Sequence, residues 1–450
     1  MSTNNTKQTP GPSGIDALRC YWIHMLRDPL AGFAALSNEF GDAVQIRATP
    51  NKRFLLLSRP EHAEHVLVRN QDRYPKAFTY RPMKAVLGDG LLTSEGEIWE
   101  RHRHLVQPVF SHRHIQEFAS VIAEVTRARV SHWPIGTSID VGAEMRSLTM
   151  ALIGQILFGI DLADRAKSVG DAVSRLQSAV IPGAVLPLSL VPGLRSAAGA
   201  LESLVDEIID ARVAAPHPEP TDLLDRLLID SNGNSLNRNE IRDEVMTLVL
   251  AGHETTANTL TWALALLSRF PSARERLAAE VTDVVGDRAA TAEDADSLEW
   301  TRAVISESMR LYPPAWNIER DALEDDVIGD VPVRAGDTIG ISAYLIHRHH
   351  EFWPNPEGFD PRRFLPAASR SRPRYAFLPF GGGRRICVGA ALAQLEATIA
   401  LATIIQVRNL DLRPGVVLDA RADITLRPRR PIIATVLAPA TSRTNSLLAT

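Results

Sequence analysis

The chain has 450 residues, a net charge of −4, 45% hydrophobic residues and 23% charged residues, the balance of a globular protein. Those values exclude a disordered chain, a collagen and a many-pass membrane protein, and the acidic net charge argues against general nucleic-acid binding. Two cysteines, Cys20 and Cys387, are too few for a disulfide scaffold or a zinc ribbon.

The opening run MSTNNTKQTPGPSG is polar and lacks an apolar core, so it is neither a signal peptide nor a membrane anchor. Residues 1–24 therefore read as a mobile tail on a cytoplasmic protein. Two β-type runs follow, Ala43–Arg47 and Phe54–Ser58, before a helix opened by Pro60. Apolar spacing of three and four predicts helices over 97–109, 114–132, 142–158, 165–180 and 194–214. Between Arg175 and Arg195 lies an uncharged run, and Pro182, Pro187 and Pro192 break any helix there. It reads equally as a buried connector or, around 176–194, as a lid or a weak membrane contact. The longest helix is expected from Asn237 to Phe270, opened by Asn237 and Glu240 in a capping-box pattern. At 1.5 Å per residue it spans about 50 Å, enough to cross a domain. Further helices are expected over 272–285, 298–311 and 388–406. The stretch 312–380 is rich in Pro, Gly and Arg, with a strand near Asp337–Ala343, and a last strand is expected near Ile432–Val436. Nothing repeats and no linker divides the chain. One mainly α domain with a small β-rich part is expected over 25–438, with a tail at 439–450.

The strongest signal is PFGGGRRICVGAALAQLEATIA. Cys387 follows a glycine-rich turn and precedes a helix, where free N–H groups and the helix dipole favour a thiolate. Arg385 adds a cation two residues before the sulfur. Gly381, Gly382 and Gly383 let backbone approach a large flat object closely. A lone free cysteine is more often a small buried hydrophobe. A phosphate loop would need Gly-Lys followed by Ser or Thr, which is absent here.

Phe380, Gly383, Arg385, Cys387 and Gly389 match the heme-binding signature Phe-x-x-Gly-x-Arg-x-Cys-x-Gly at each fixed position, and the segment resembles the cytochrome P450 family. The resemblance runs from about residue 25 to 438. It implies the family's fold, mainly α, with heme b between the long helix and the Cys387 helix. It also implies that Cys387 is the axial ligand of the iron and that Arg385 pairs with a heme propionate. Thiolate ligation pushes electron density onto the metal and favours O–O cleavage.

Other segments resemble the family in the same order along the chain. Glu307 and Arg310 stand three apart on a helix and FDPRRF supplies Arg363, which implies a buried structural cluster. The family's often acidic position before that arginine is Arg362 here. Trp99 and Arg103 match Trp-x-x-x-Arg, which implies propionate contacts, and Arg320 resembles a further propionate ligand. The long helix carries AGHETT; a mid-helix glycine costs about 1 kcal/mol against alanine, so Gly252 needs a reason such as close approach of a ligand. Glu254 and Thr255 then match the family's acid–alcohol pair, which implies that Thr255 orients O₂ or a water and Glu254 relays protons. The histidines, His102 and His104 among them, read as surface or structural residues, because none forms a His-Glu-x-x-His metal motif.

The implied activity is O₂-dependent monooxygenation of a lipophilic small molecule such as a terpenoid, fatty-acyl or polyketide compound. Phe78, Val86, Leu87, Leu91, Ala251, Ala315, Trp316 and Ile318 fall in regions that line the family's pocket, and all are apolar. A peroxide-driven relative would replace the acid–alcohol pair, and a non-catalytic heme sensor would need neither that pair nor an electron partner. Between Pro361 and Arg385 there are seven arginines and no acid, and between Arg101 and Gln116 three more with four histidines. Both segments flank the thiolate side of the heme in the family. An acidic ferredoxin or flavodoxin with its NAD(P)H reductase is therefore the expected electron source. No transmembrane anchor is expected.

Overall fold

The long helix is set by its ends. The Asn237 side chain accepts from the N–H groups of Asn239 and Glu240, while the Glu240 carboxylate accepts from the N–H of Asn237, so the capping box is closed. The helix stops at Phe270, and Pro271 opens the next one. This computed structural model describes residues 9–12, 27–49, 52–167, 169–171, 180–181, 184–185, 194–220, 222–228 and 236–439. Most of the 1–24 tail, most of the 176–194 loop, Cys20 and the end of the chain from 440 lie outside the described residues. Residues 9–12 do not hang free, because the N–H of Gln45 donates to the carbonyl of Pro10 at 2.8 Å.

The main helices are α1 (Pro29–Phe40), α2 (Gly96–Val106), α3 (Ala119–Ser131), α4 (Val141–Phe158), α5 (Leu194–Ala214), α6 (Arg238–Arg269), α7 (Pro271–Val284), α8 (Glu299–Leu311) and α9 (Ala390–Val407). Their bounds follow the apolar periodicity to within a few residues; of the helix expected over 165–180, only its beginning lies within the described residues. The expected helix from 388 starts at Ala390, with Gly389 as its cap, so Cys387 stands just outside it. By length and composition α9 could cross a membrane, yet 67% of it is buried inside the protein. It is a core helix beside α3 and α6.

α4 and α6 are the most tightly joined pair, and Gly252 is the reason they can be. A Cβ at Gly252 would stand 2.5 Å from Cδ1 of Ile153. The mid-helix glycine is therefore required by helix packing, in addition to facing the cavity described below. Thr149 on α4 also donates to the His253 carbonyl at 3.0 Å.

The β-rich part is larger than the sequence predicts. Strands β1 (Ala43–Thr49), β2 (Lys52–Leu57), β4 (Ile318–Asp321) and β5 (Thr338–Ile341) form a sheet in the order β1-β2-β5-β4. The β2–β5 pair is parallel and the outer pairs are antiparallel. A second sheet joins β6 (Asn409–Leu412), β7 (Ile433–Leu437) and β3 (Ser138–Asp140). Strands of three or four residues leave too short an alternation to read from sequence.

Candidate functional site

The site rests on a buried ionic cluster. Arg310 on α8 grips Glu307 with two bonds, Nε to Oε2 at 2.6 Å and Nη2 to Oε1 at 2.8 Å, and both side chains are fully buried. Arg363 Nε lies 3.4 Å from the same carboxylate, and the N–H of Asp360 donates to it at 2.8 Å. Arg310 spends its other protons on the carbonyls of His347, Pro356 and Gly358. A buried ion pair survives only when its remaining hydrogen-bonding groups are also satisfied. Here they are satisfied by backbone, so the cluster fixes the irregular segment 347–363. His347 continues the chain of contacts, since its Nε2 accepts from the N–H of Leu378 at 2.9 Å. Burial, with Arg310 beside it, holds the His347 pKa down to about 3, so the ring is neutral and can accept.

Leu378 leads directly into the cysteine loop. The N–H of Cys387 donates to the carbonyl of Phe380 at 3.0 Å and closes it. Gly383 has φ +68°, and a Cβ there would meet the Leu67 carbonyl at 1.9 Å, so no other residue fits. Gly383 therefore backs onto the protein, while Gly381 and Gly382 line a cavity of about 350 Å³. Cys387 is exposed, but onto that cavity, which Phe380 and Gly389 also line, so protein surrounds the thiol on its other sides. Burial pushes the Cys387 thiol up, opposed by the Gly389 N–H and the Arg103 guanidinium. The cation near the sulfur is thus Arg103, not Arg385 as the spacing suggests, and desolvation outweighs the helix end. A metal cation is what would displace the thiol proton in such a setting.

One end of the cavity is cationic. Trp99, Arg103, Arg320 and Arg385 all line it, and so does Lys76, which the sequence did not flag. Arg103 donates from Nη1 to the Ile386 carbonyl at 2.9 Å. The Arg385 guanidinium lies 4.4 Å over the Trp99 ring and pairs with Glu95. Lys76 bridges to Arg320 through the backbone, and its Nζ donates to the carbonyls of Leu91 and Ser94 at 3.0 and 2.7 Å. Burial and the nearby Arg385 hold the Lys76 pKa down to about 7. Arg385 Nη1 is buried with no hydrogen-bond partner among the described residues. Buried cations held this way call for anions. Two carboxylates at this end, on a flat group that reaches Cys387, fit the propionates of heme b.

α6 forms another wall, with Ala251, Gly252, Thr255, Thr256 and Thr259 lining the cavity. The Thr255 hydroxyl donates back to the Ala251 carbonyl at 2.7 Å, and Thr259 donates to the Thr255 carbonyl at 2.9 Å. Such back-bonding loosens a helix locally. Glu254 is half-buried and does not line the cavity. Of the expected pocket residues, Leu91, Ala251, Ala315 and Ile318 line it. Phe78, Val86, Leu87 and Trp316 do not. Phe78 lies under Lys52, 4.6 Å from the ring centre, Val86 and Leu87 belong to the helical core, and Trp316 packs on Phe33 with its indole N–H on the Asp423 carbonyl. In their place stand Tyr80, Leu92, Ile153, Leu157, Thr247 and Leu248. Glu396 also lines the cavity, and burial pushes its carboxyl up to about 8. A signal existed for it: Glu396 is the one charged residue in α9.

The arginine-rich segment is largely committed. Arg362 pairs with Asp360, Arg384 with Asp72 and Glu100, and Arg363 and Arg385 as above. Arg372, expected on a docking face, instead stacks 4.0 Å over Trp353 and donates to the Arg363 carbonyl. Its burial lowers its pKa to about 10. In the other segment Arg101 pairs with Glu240, and His102 is buried against Glu244 at 2.6 Å. In these two segments, the exposed arginines without an acidic partner among the described residues are Arg113, Arg370 and Arg374.

The sequence model of the family Cytochrome P450 matches residues 12–433. Cyclooctatin synthase of Streptomyces melanosporofaciens is 34% identical over 94% of this chain and 95% of its own length. Cyclooctat-9-en-7-ol 5-monooxygenase from the same organism is 35% identical over 87% of each chain. Among solved structures, the heme domain of cytochrome P450DA superposes with a TM-score of 0.86 at 25% identity, covering 96% of this chain and 98% of that one.

Proposed function

From the premise that this chain belongs to the cytochrome P450 family, we propose that it hydroxylates a neutral, polycyclic terpenoid, using electrons from a small acidic carrier protein. It is a cytochrome P450 monooxygenase, and heme b is its cofactor. The observation that carries the substrate class is the lining of the cavity. Four of its five charged side chains, Lys76, Arg103, Arg320 and Arg385, belong to the cationic end; the fifth, Glu396, is a carboxyl that burial keeps protonated, and the walls given by Tyr80, Leu92, Ile153, Leu157, Leu248 and Ala251 carry no charge. An uncharged wall rejects a fatty-acid carboxylate, which would be buried unpaired. The relatives named for cyclooctatin and for an alcohol of the cyclooctatin type support the same class.

Bound heme supplies the iron and the activation of O₂; the chain supplies position and protons. In this reading Cys387 presents its sulfur to the metal, and Lys76, Arg103, Arg320 and Arg385 hold the carboxylates. Thr255 swings its hydroxyl from the Ala251 carbonyl to hold a proton at the reacting face, and Glu254 resupplies it from outside the cavity. Titrating the ferric holoenzyme with a panel of cyclic terpenes, and assaying oxygenated product with a reconstituted electron chain, tests the class. A response to fatty acids alone would refute it.

Thr255→Ala is expected to bind heme and substrate normally but to divert electrons to peroxide. Product per NAD(P)H should fall by about tenfold, short of the ~100-fold that a lost acid or base can cost. Unchanged coupling would remove Thr255 from the proton path.

The docking face we assign to Arg113, Arg370 and Arg374, and not to Arg372. Reversing Arg370 and Arg374 to Glu should slow the first electron transfer from an acidic ferredoxin by roughly tenfold at low salt. The gap between variant and parent should close as salt rises. A rate indifferent to both changes places the carrier elsewhere.

A further inference from the structure

We infer that Tyr80 selects an oxygen-bearing substrate, its phenol hydroxyl hydrogen-bonding to a hydroxyl or carbonyl group on an otherwise hydrocarbon molecule. This rests on the terpenoid reading above and narrows it.

Tyr80 is half-buried and lines the cavity beside Leu91 and Leu92. Its ring packs on the helical core, yet its hydroxyl has no partner among the described residues. A tyrosine hydroxyl that folding takes out of water normally finds one. The neighbouring hydroxyls are either already bonded or placed elsewhere. Thr255 and Thr259 already donate to carbonyls one turn back. The Thr247 hydroxyl also has no partner among the described residues, but it is fully buried and backs onto Gly90, where a Cβ would come within 2.2 Å of it. Thr256 is buried next to Thr255, within the proposed proton-handling stretch of α6. Tyr80 stands apart from that machinery, on the turn before the short helix Arg81–Leu87. Left empty, the hydroxyl forfeits a hydrogen bond; filled by a ligand oxygen, it regains one.

The substrate is thereby placed in a sequence. A terpene hydrocarbon gains its first oxygen either when water captures the last cation of a cyclisation or in an earlier hydroxylation. A reaction of one of those two classes must precede this one. A site built to hydrogen-bond a substrate discriminates against the analogue that lacks the group more sharply than an apolar wall discriminates by shape.

The test is a difference-spectrum titration of the ferric holoenzyme with cedrol and with cedrane, a tricyclic alcohol and its parent hydrocarbon. The parent enzyme should bind cedrol roughly tenfold more tightly than cedrane, the size of one well-made hydrogen bond. Tyr80→Phe should erase that preference and leave cedrane affinity unchanged. The ratio of ratios cancels any direct effect of the alcohol on the iron. If both ligands bind and the preference is absent, or survives in Tyr80→Phe, the role of Tyr80 is refuted while the terpenoid reading stands. If neither binds, the terpenoid reading fails and takes this inference with it.

Discussion

Cys387→Ser is expected to fold and to lose completely the thiolate-type carbon monoxide spectrum of the reduced protein. Serine keeps the size of the side chain, and the bond from the N–H of residue 387 to the Phe380 carbonyl is a backbone bond, so the loop is preserved. The cavity has no other thiol among its lining residues, and the thioether of Met309 cannot ionise to a thiolate. A serine hydroxyl does not ionise near neutral pH, so it cannot replace the thiolate donor. Heme content should fall less than the spectrum changes, because the cationic end still holds the carboxylates. A normal thiolate-type band in Cys387→Ser would overturn the assignment of Cys387.

Glu307→Gln is expected to be the most damaging single change away from the cavity. It removes the negative charge that faces Arg310 and Arg363, with Arg310 fully buried. Breaking one side of a buried pair costs about 3–5 kcal/mol, because the other charge is left uncompensated. The loss is felt along Arg310, His347 and Leu378, the contacts that lead into the cysteine loop. Heme release should therefore occur at distinctly lower urea concentration than in the parent. Arg310→Lys is the control: it keeps the charge but not the two-pronged grip or the carbonyl contacts, and should also destabilise. An unchanged urea midpoint in both variants would show that the segment 347–363 is held by other means.

The helices were legible because their periodicity is long and their ends are marked, as at Asn237 and Pro271. The short strands were not, since three or four residues give no period to count. At the site, contiguous motifs were readable: the loop around Cys387, Trp99 with Arg103, and Glu307 with Arg310. What escaped was the long-range part. Lys76 reaches the cavity through a bridge to Arg320, and nothing local to Lys76 announces this. Phe78 and Trp316 are apolar and close in sequence to lining residues, but each turns the other way. The arginine run misled for a related reason. Charge counted along a chain ignores partners brought by other segments, and Asp72, Glu95 and Glu100 meet the run only after folding.

The contact between Gly252 and Ile153 also bears on how this enzyme can change its repertoire over generations. Both residues line the cavity, and each limits the other. Enlarging residue 252 requires trimming residue 153, and trimming residue 153 alone leaves a void between two core helices. A lineage that shifts toward larger or smaller molecules along this wall must therefore move by paired substitutions, with the first of the two carrying a cost in stability. Diversification is cheaper on the side of Tyr80 and Leu92, where single replacements leave the α4–α6 seam untouched.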